Sequence, residues 1–332
     1  MGGAVHVAEE VRAAVAEGRP VVALESTIVT HGLPRPRNLA VAVEAEDQVR
    51  EAGVVPATVG VVDGRVVVGL GADELAGLAA DPGVEKLSVR DLPVALARGT
   101  SGGTTVAATA LLAHRAGVPV FATGGLGGVH RGASTTFDES ADLVALSGVP
   151  ILVVSAGVKS ILDVPATLER LETLNVTVLG YRTDTFPGFY VRDAGVPVPA
   201  RVDEPEEAAA VVRARDALGL RGAVLLANPV AAEAQLDVAE HRAVLDAALA
   251  EAADRCVVGH DTTPFLLERV REATEGRSLE VNVAVYRGNV ALAARVARAL
   301  AVPAQAPGSV PGDDTGYAPR RAGRTRPGRS PR

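Results

Sequence analysis

Pro119-Val-Phe-Ala-Thr123 runs straight into Gly124-Gly-Leu-Gly-Gly-Val-His-Arg-Gly132, and this passage from apolar run to glycine-rich loop decides the fold class. A short apolar run bounded by turn formers reads as a buried strand. The glycines superficially resemble a dinucleotide fingerprint. That fingerprint needs a helix to open directly on them and an acidic residue at the end of a following strand, and both are missing here. The segment reads instead as an active-site loop that contributes His130 and backbone amides.

The same strand-then-loop pattern repeats outward in both directions. Downstream, Pro150-Ile-Leu-Val-Val-Ser155 is a second central strand, with Lys159 just beyond it at the expected start of a helix. Val176-Thr-Val-Leu-Gly180 and Gly222-Ala-Val-Leu-Leu-Ala227 are further strands, and helices dominate from Pro229 to Ala301. Upstream, Pro20-Val-Val-Ala-Leu24 is a strand ending on Glu25, preceded by a short helix from Val5 to Glu17. Pro34 and Pro36 mark a loop, and Asn38 is placed to cap a helix from Leu39 to Ala52. Thr58 to Gly69 reads as a hairpin turning at Asp63-Gly64, a dipeptide suited to a type I′ turn. A helix near Asp73–Ala80, a strand near Glu85–Ser88, the loop Gly99-Thr-Ser-Gly-Gly103 and a helix from Thr104 to Ala116 lead back to Pro119.

Alternating strands and helices of this kind predict one large α/β domain over residues 1–301, with a central mixed, mostly parallel sheet flanked by helices. Ligands in such folds sit outside the carboxyl ends of strands. Residues 302–332 change character: Pro, Gly and Arg alternate without an apolar face, which predicts a disordered, solvated tail.

Composition narrows the function. The 332 residues are 48% hydrophobic but only 3% aromatic with no Trp, so Val, Ala and Leu must fill the core. A net charge of −7 argues against a nucleic-acid footprint. Cys256 is the only cysteine, which excludes an internal disulfide and a cysteine metal cluster. No leader-like stretch or membrane-length apolar run is evident, so a cytoplasmic location is expected. Of 33 Lys+Arg, only Lys86 and Lys159 are lysines. Arginine-favouring codon usage explains the general depletion, but not why two survive. Lysine, unlike arginine, can be tuned by burial to lose its proton.

Several residues are candidates for chemistry, each with a plainer alternative. Glu25, at a strand end, suits proton transfer because partial desolvation raises a carboxyl pKa; as a cap or as a partner of Lys86 it would serve structure alone. Gly99 to Thr105, opening a helix, could cradle a phosphate, although many such turns bind nothing. Asp138-Glu-Ser-Ala-Asp142 offers oxygen ligands for Mg²⁺ or Mn²⁺, or simply favourable charge at a helix start. Lys159 has small neighbours and apolar surroundings, which suit an amine nucleophile, but it could equally cap a strand or pair with Asp163. Together these residues describe a class I aldolase-like lyase in generic terms.

An ordered series of motifs sharpens this. Ala23-Leu-Glu-Ser-Thr-Ile-Val-Thr-His-Gly32, Lys86-Leu-Ser-Val-Arg-Asp-Leu92, Gly102-Gly-Thr-Thr-Val106, Phe121 to Gly132, Thr136 to Leu143, Ala156 to Asp163, Ala227-Asn-Pro229 and Thr263-Pro-Phe-Leu-Leu267 follow one another along residues 5–301. In this series the chain resembles the pseudouridine-5′-phosphate glycosidase family, whose fold is called indigoidine synthase A-like. The resemblance implies a Schiff-base lysine at Lys159 and an acid/base at Glu25. It implies substrate contacts at Lys86, Val106, His130, Ser140, Ala141, Asp142 and Asn282, and Thr105 of the glycine-rich loop is expected to help Lys86 hold the phosphate. A metal ligand at Asp138, normally for Mn²⁺ with waters, and a homotrimer are also implied. Arg35, Arg37 and His260 depart from the family pattern.

The implied substrate is pseudouridine 5′-phosphate, with uracil and ribose 5-phosphate as products and no nucleic-acid or membrane partner. Its ribose is joined to carbon C5 of uracil, which has no lone pair for the protonation used by ordinary glycosidases. An imine at ribose C1′ answers that difficulty. A sugar or nucleoside kinase, another sugar-phosphate Schiff-base lyase and a non-catalytic nucleotide-binding protein are the competing expectations.

Overall fold

In the computed structural model, which describes residues 5–257 and 262–301, Val5–Val7 forms β1 and Glu9–Ala16 forms α1. The expected helix from Val5 to Glu17 is therefore shorter, because Val5-His-Val pairs in parallel with a neighbouring strand before the helix begins. Val21–Glu25 is β2, a π-helical turn follows at Ile28–Gly32, and Arg37–Glu51 is α2. Asn38 is not its cap. The Asn38 amide is buried and donates to the carbonyls of Val29 and Ala79, and Pro36 holds the cap position.

Val55–Val62 (β3) and Arg65–Val68 (β4) form the expected antiparallel hairpin. Asp63 and Gly64 both take left-handed φ, 48° and 71°, as a type I′ turn requires. Ala72–Ala80 is α3, Glu85–Leu87 β5 and Leu92–Arg98 α4. The glycine-rich segment expected as a loop contributes a short strand, β6 (Gly102–Thr104), and α5 (Val106–Arg115) starts two residues later than expected, after the Thr105 cap. Val120–Ala122 is β7, Ala133–Thr136 α6, Ala141–Ser147 α7 and Leu152–Ser155 β8. Lys159 does not open a helix: it sits in a turn, and α8 (Val164–Thr173) begins only after Asp163. Thr177–Tyr181 (β9), Ala200–Val202 (β10), Pro205–Ala217 (α9) and Val224–Ala227 (β11) complete the alternation. Val238–Asp254 (α10), Thr262–Ala273 (α11) and Arg277–Ala301 (α12) form the helical end. His260 and the tail from Val302 lie outside the described residues.

The strands form one sheet in the order β1-β4-β3-β2-β7-β8-β11-β9-β10, with β6 and β5 branching from β3. Among the described strands only the β3 pairings with β4 and β6 are antiparallel, so the sheet is mixed and mostly parallel, as expected. Parallel strands must be covered on both faces. Alternate residues accordingly feed two cores. Ala23, Phe121, Val153 and Leu225 pack with Val11, Leu112, Leu143 and Leu171 of α1, α5, α7 and α8. Val22, Leu24, Val120, Val154 and Leu226 pack with Val41, Leu75, Val212 and Val290 of α2, α3, α9 and α12. No helix among the described residues is long and apolar enough to cross a membrane.

Candidate active site

β2 carries the first functional side chain. Its five residues are all buried, and the strand ends with Glu25 at 8% exposure. From the end of the adjacent β7, Thr123 donates its hydroxyl to the Glu25 carboxylate. Burial pushes the Glu25 carboxyl above the ordinary range, opposed first by the Lys159 charge and then by the Thr123 hydrogen bond; Asp142 adds to the rise and Lys86 opposes it. Both lysines of the chain therefore act on one buried carboxyl.

Lys159 reaches this space from the turn after β8. Its main-chain N–H donates to Leu126 O at 3.0 Å, and Leu126 N–H donates to Gly157 O at 3.0 Å, which locks that turn to the Gly124–Gly128 loop. Gly157 has φ +78°, and a Cβ there would meet Pro187 O at 2.5 Å, so the close approach requires glycine. Among the described residues the Lys159 ammonium has no hydrogen-bond or ion-pair partner. Asp163 is occupied elsewhere: it accepts from Ala166 N–H at 3.0 Å as the cap of α8.

Lys86 lies on β5 opposite Gly103. Its side chain reaches water while protein surrounds it, and that partial desolvation lowers its pKa; the Lys159 charge lowers it further, against Asp142 and Glu25. His31, not singled out as a candidate, faces the same charge: burial lowers its pKa, followed by Lys86 and Arg35.

Asp142 is buried at 6% in the first turn of α7 and uses both oxygens on backbone donors. Ala107 N–H of α5 reaches Oδ1 at 2.9 Å and Gly127 N–H reaches Oδ2 at 2.8 Å. Ser140 caps α7, accepting from Asp142 N–H at 3.2 Å, and a Cβ on Gly127 would lie 2.2 Å from Ser140 Oγ. Ala141, exposed, opens α7.

The His130 main-chain N–H donates to the Asp138 main-chain carbonyl at 3.0 Å, and the ring Nδ1 lies 4.0 Å from Asp138 Oδ2. Burial lowers the His130 pKa, against the pull of Asp138, and the Lys159 charge lowers it further. Asn282 of α12 faces the same loop, its Oδ1 3.5 Å from where a Gly124 Cβ would stand. Phe189, with left-handed φ of 65°, packs against Gly124 and Gly125.

The family model described as indigoidine synthase A like protein matches residues 10–299. A protein named pseudouridine-5′-phosphate glycosidase from Saccharopolyspora erythraea is 64% identical over 295 residues, 89% of this chain and 97% of its own length. A Streptomyces griseus protein of the same name is 60% identical over 88% of this chain and 91% of its own. The chain belongs to the indigoidine synthase A-like family. It is an enzyme. Among solved structures, a prealnumycin C-glycosynthase in complex with ribulose 5-phosphate superposes with a TM-score of 0.85 at 39% identity, covering 91% of this chain and 98% of that one. An indigoidine synthase A-like protein from Thermotoga maritima gives 0.82 at 36%, covering 90% and 97%.

Within this indigoidine synthase A-like chain, the phosphate cradle is narrower than the glycine-rich sequence suggests. Ala107 N–H is committed to Asp142 and Ala108 N–H to the Thr105 hydroxyl at 3.4 Å. Thr104 is fully buried, with its hydroxyl on Val59 O. The Val106 N–H, at the first position of α5, has no acceptor among the described residues. With Lys86 across β5 and β6, it is the donor pair an anion could use.

Asp138 makes no ion pair with Lys or Arg among the described residues, and no group of three His, Cys, Asp or Glu there could hold a metal. A hard cation held by one carboxylate and several waters fits such a donor set. The two arginine departures stand elsewhere: Arg35 donates to the carbonyls of Ala79 and Asp81, each at 2.8 Å, and Arg37 pairs with Glu280 at 2.6 Å. A cavity of ≈ 470 Å³ beside α12, lined by Glu233, Asp237, Arg277, Glu280 and Arg287 among others, includes none of the cluster. Convergent acid, amine and amide chemistry outweighs cavity size in locating the site.

Proposed function

We propose that this chain is a pseudouridine-5′-phosphate glycosidase, which reversibly cleaves pseudouridine 5′-phosphate to uracil and ribose 5-phosphate through an imine on Lys159. The observation that carries it is the convergence of the chain's only two lysines on the buried Glu25 carboxyl. Relatives of that name at 60–64% identity support the substrate, and a related C-glycosynthase bound to ribulose 5-phosphate supports a sugar-phosphate site.

Glu25, whose protonated form burial favours, gives its proton to O4′ as the C1′–O4′ bond of the ribose opens. The Lys159 amine bonds to C1′. The bonded nitrogen gives a proton to the Glu25 carboxylate; its lone pair then forms the imine as the C1′–C5 bond breaks, and the electron pair goes to uracil C5, which takes that proton from Glu25. Water hydrolyses the imine, releasing ribose 5-phosphate and restoring the amine. Lys86 and the Val106 N–H hold the phosphate, while Asn282, His130 and the α7 start at Ser140, Ala141 and Asp142 bound the rest of the substrate. Asp138 would hold a divalent cation, Mn²⁺, with waters; the cation would order those waters and neighbouring dipoles. The functional assembly is a homotrimer.

An absorbance assay of purified protein tests the activity, with pseudouridine 5′-phosphate in one direction and uracil plus ribose 5-phosphate in the other. Turnover in both directions without ATP is expected. Binding without turnover would refute the proposal, and phosphate transfer from ATP would replace it with a kinase.

A further inference from the structure

Ala227-Asn-Pro229 ends β11 with an asparagine to which the mechanism gives no role, and Asn289 stands far along α12 without one. The two meet beneath the site. Asn228 Nδ2 donates to Asn289 Oδ1 at 3.0 Å. Asn289 Nδ2 donates in turn to the carbonyls of Thr123 at 2.8 Å and Gly124 at 3.1 Å. Asn289 is fully buried, and both its amide protons and its oxygen are used. The flipped amide would set oxygen against two carbonyls, so the network itself decides its orientation.

Each end of this amide pair leads to one reacting residue. Thr123, held by its carbonyl, donates its hydroxyl to Glu25. Asn228 N–H donates to Ser155 O at 2.8 Å, and Ser155 Oγ donates to Gly157 O at 3.1 Å, two residues before Lys159. The amide pair thus bridges the strand end that holds Glu25 and the strand end that leads to Lys159. We infer that Asn289 and Asn228 are positioning residues, a buried amide crosspiece that keeps the Glu25–Thr123 contact in register with the Lys159 turn. This inference rests on the roles of Glu25 and Lys159 proposed above. The crosspiece acts through Thr123 and the Gly124 loop.

The groups facing Glu25 are Lys159, Lys86 on β5, Asp142 on α7 and Tyr286 on α12, and substituting either asparagine changes none of their charges. Asn289→Ser leaves a hydroxyl that can serve at most one of the two carbonyls. Its kcat for C-glycoside cleavage should fall about ten- to a hundredfold, with KM within about threefold of the parent. The pH limb set by Glu25 should move upward, because the hydrogen bond that favours the ionised carboxylate is weakened. Half-buried Asn228→Ala should show a smaller fall in the same direction. Thr123→Val should reproduce the upward limb shift, and Thr123→Ser should restore it.

If Asn289→Ser and Asn228→Ala lower thermal stability but leave kcat and the limb unchanged, the crosspiece is structural only and the inference is overturned. Should Asn289→Ser fail to fold, Asn228→Ala decides by the same two readouts. Failure of borohydride to trap ribose 5-phosphate on Lys159 of the parent enzyme would sink the underlying mechanism instead, whatever the asparagine variants do.

Discussion

The main-chain N–H of Lys159 donates to Leu126 O at 3.0 Å, so the root of the proposed nucleophile is fastened to the glycine loop of the neighbouring strand, while its amine has no carboxylate partner among the described residues. A lysine tied into an ion pair would hold its proton and be a poor nucleophile. Here the anchoring is done by backbone, and the side chain is left available for the reaction.

The two lysines should separate kinetically. Lys159→Arg keeps a positive charge but cannot form an imine, so turnover should fall by at least about 10³-fold, the scale of losing a covalent nucleophile. Lys86→Arg retains a cation near the phosphate donors and should chiefly raise KM. Steady-state kinetics on both variants checks this; equal losses in kcat would remove the division of roles.

Glu25→Gln should lower kcat by about 10²–10⁴-fold, the usual worth of a general acid–base group. It should also change stability with a definite sign. The folded pKa of Glu25 is raised above its ordinary 4.5, so the stabilisation it provides is fully present below that value and is lost as pH rises through the folded pKa. The variant has no such loss. Its melting temperature should therefore gain on the parent from pH 5 to pH 8, as thermal melts at both values would show; a parallel pH dependence would contradict the raised pKa.

Asp142 braces two elements, and removing it should cost stability as well as activity. Asp142→Ala loses the acceptors for Ala107 N–H and Gly127 N–H. Hydrogen bonds to a charged group are worth about 1.5–3 kcal/mol each. Asp142→Asn keeps one acceptor and should lose roughly half as much in denaturant melts. A merely substrate-contacting residue would leave stability unchanged.

Asp138→Asn should weaken activation by Mn²⁺, and chelator treatment of the parent should lower turnover, with Mn²⁺ restoring it. Titrating Mn²⁺ back into stripped protein measures both. Full activity in chelator would remove the cation from the mechanism.

Much of this was legible in the chain because parallel strands buried on both faces read as continuous apolar runs, as in Pro20–Leu24 and Pro150–Ser155. The Asp63-Gly64 turn was legible for a different reason: its backbone demands φ above zero at both positions. The errors fall where tertiary pairing overrides local signal. Val5-His-Val becomes a strand because β4 offers an edge, and Asn38 turns inward to serve two carbonyls instead of capping α2. In the site, Glu25, Lys159 and Asp142 stood out as charges at strand or helix ends. Thr123 did not, because a hydroxyl at a strand end is commonplace until the partner strand delivers a carboxylate to it. The cradle was overread for a related reason: which N–H groups of α5 remain free depends on Asp142, which approaches from another helix.

The central claim is the covalent bond to Lys159, and the competing candidate is Lys86, whose amine pKa burial lowers. Incubating the enzyme with ribose 5-phosphate and borohydride, then mapping the reduced adduct by peptide mass spectrometry, tests this most directly. The mechanism predicts one sugar-phosphate adduct per chain, on the peptide containing Lys159. An adduct on Lys86, or none while turnover persists, would contradict it.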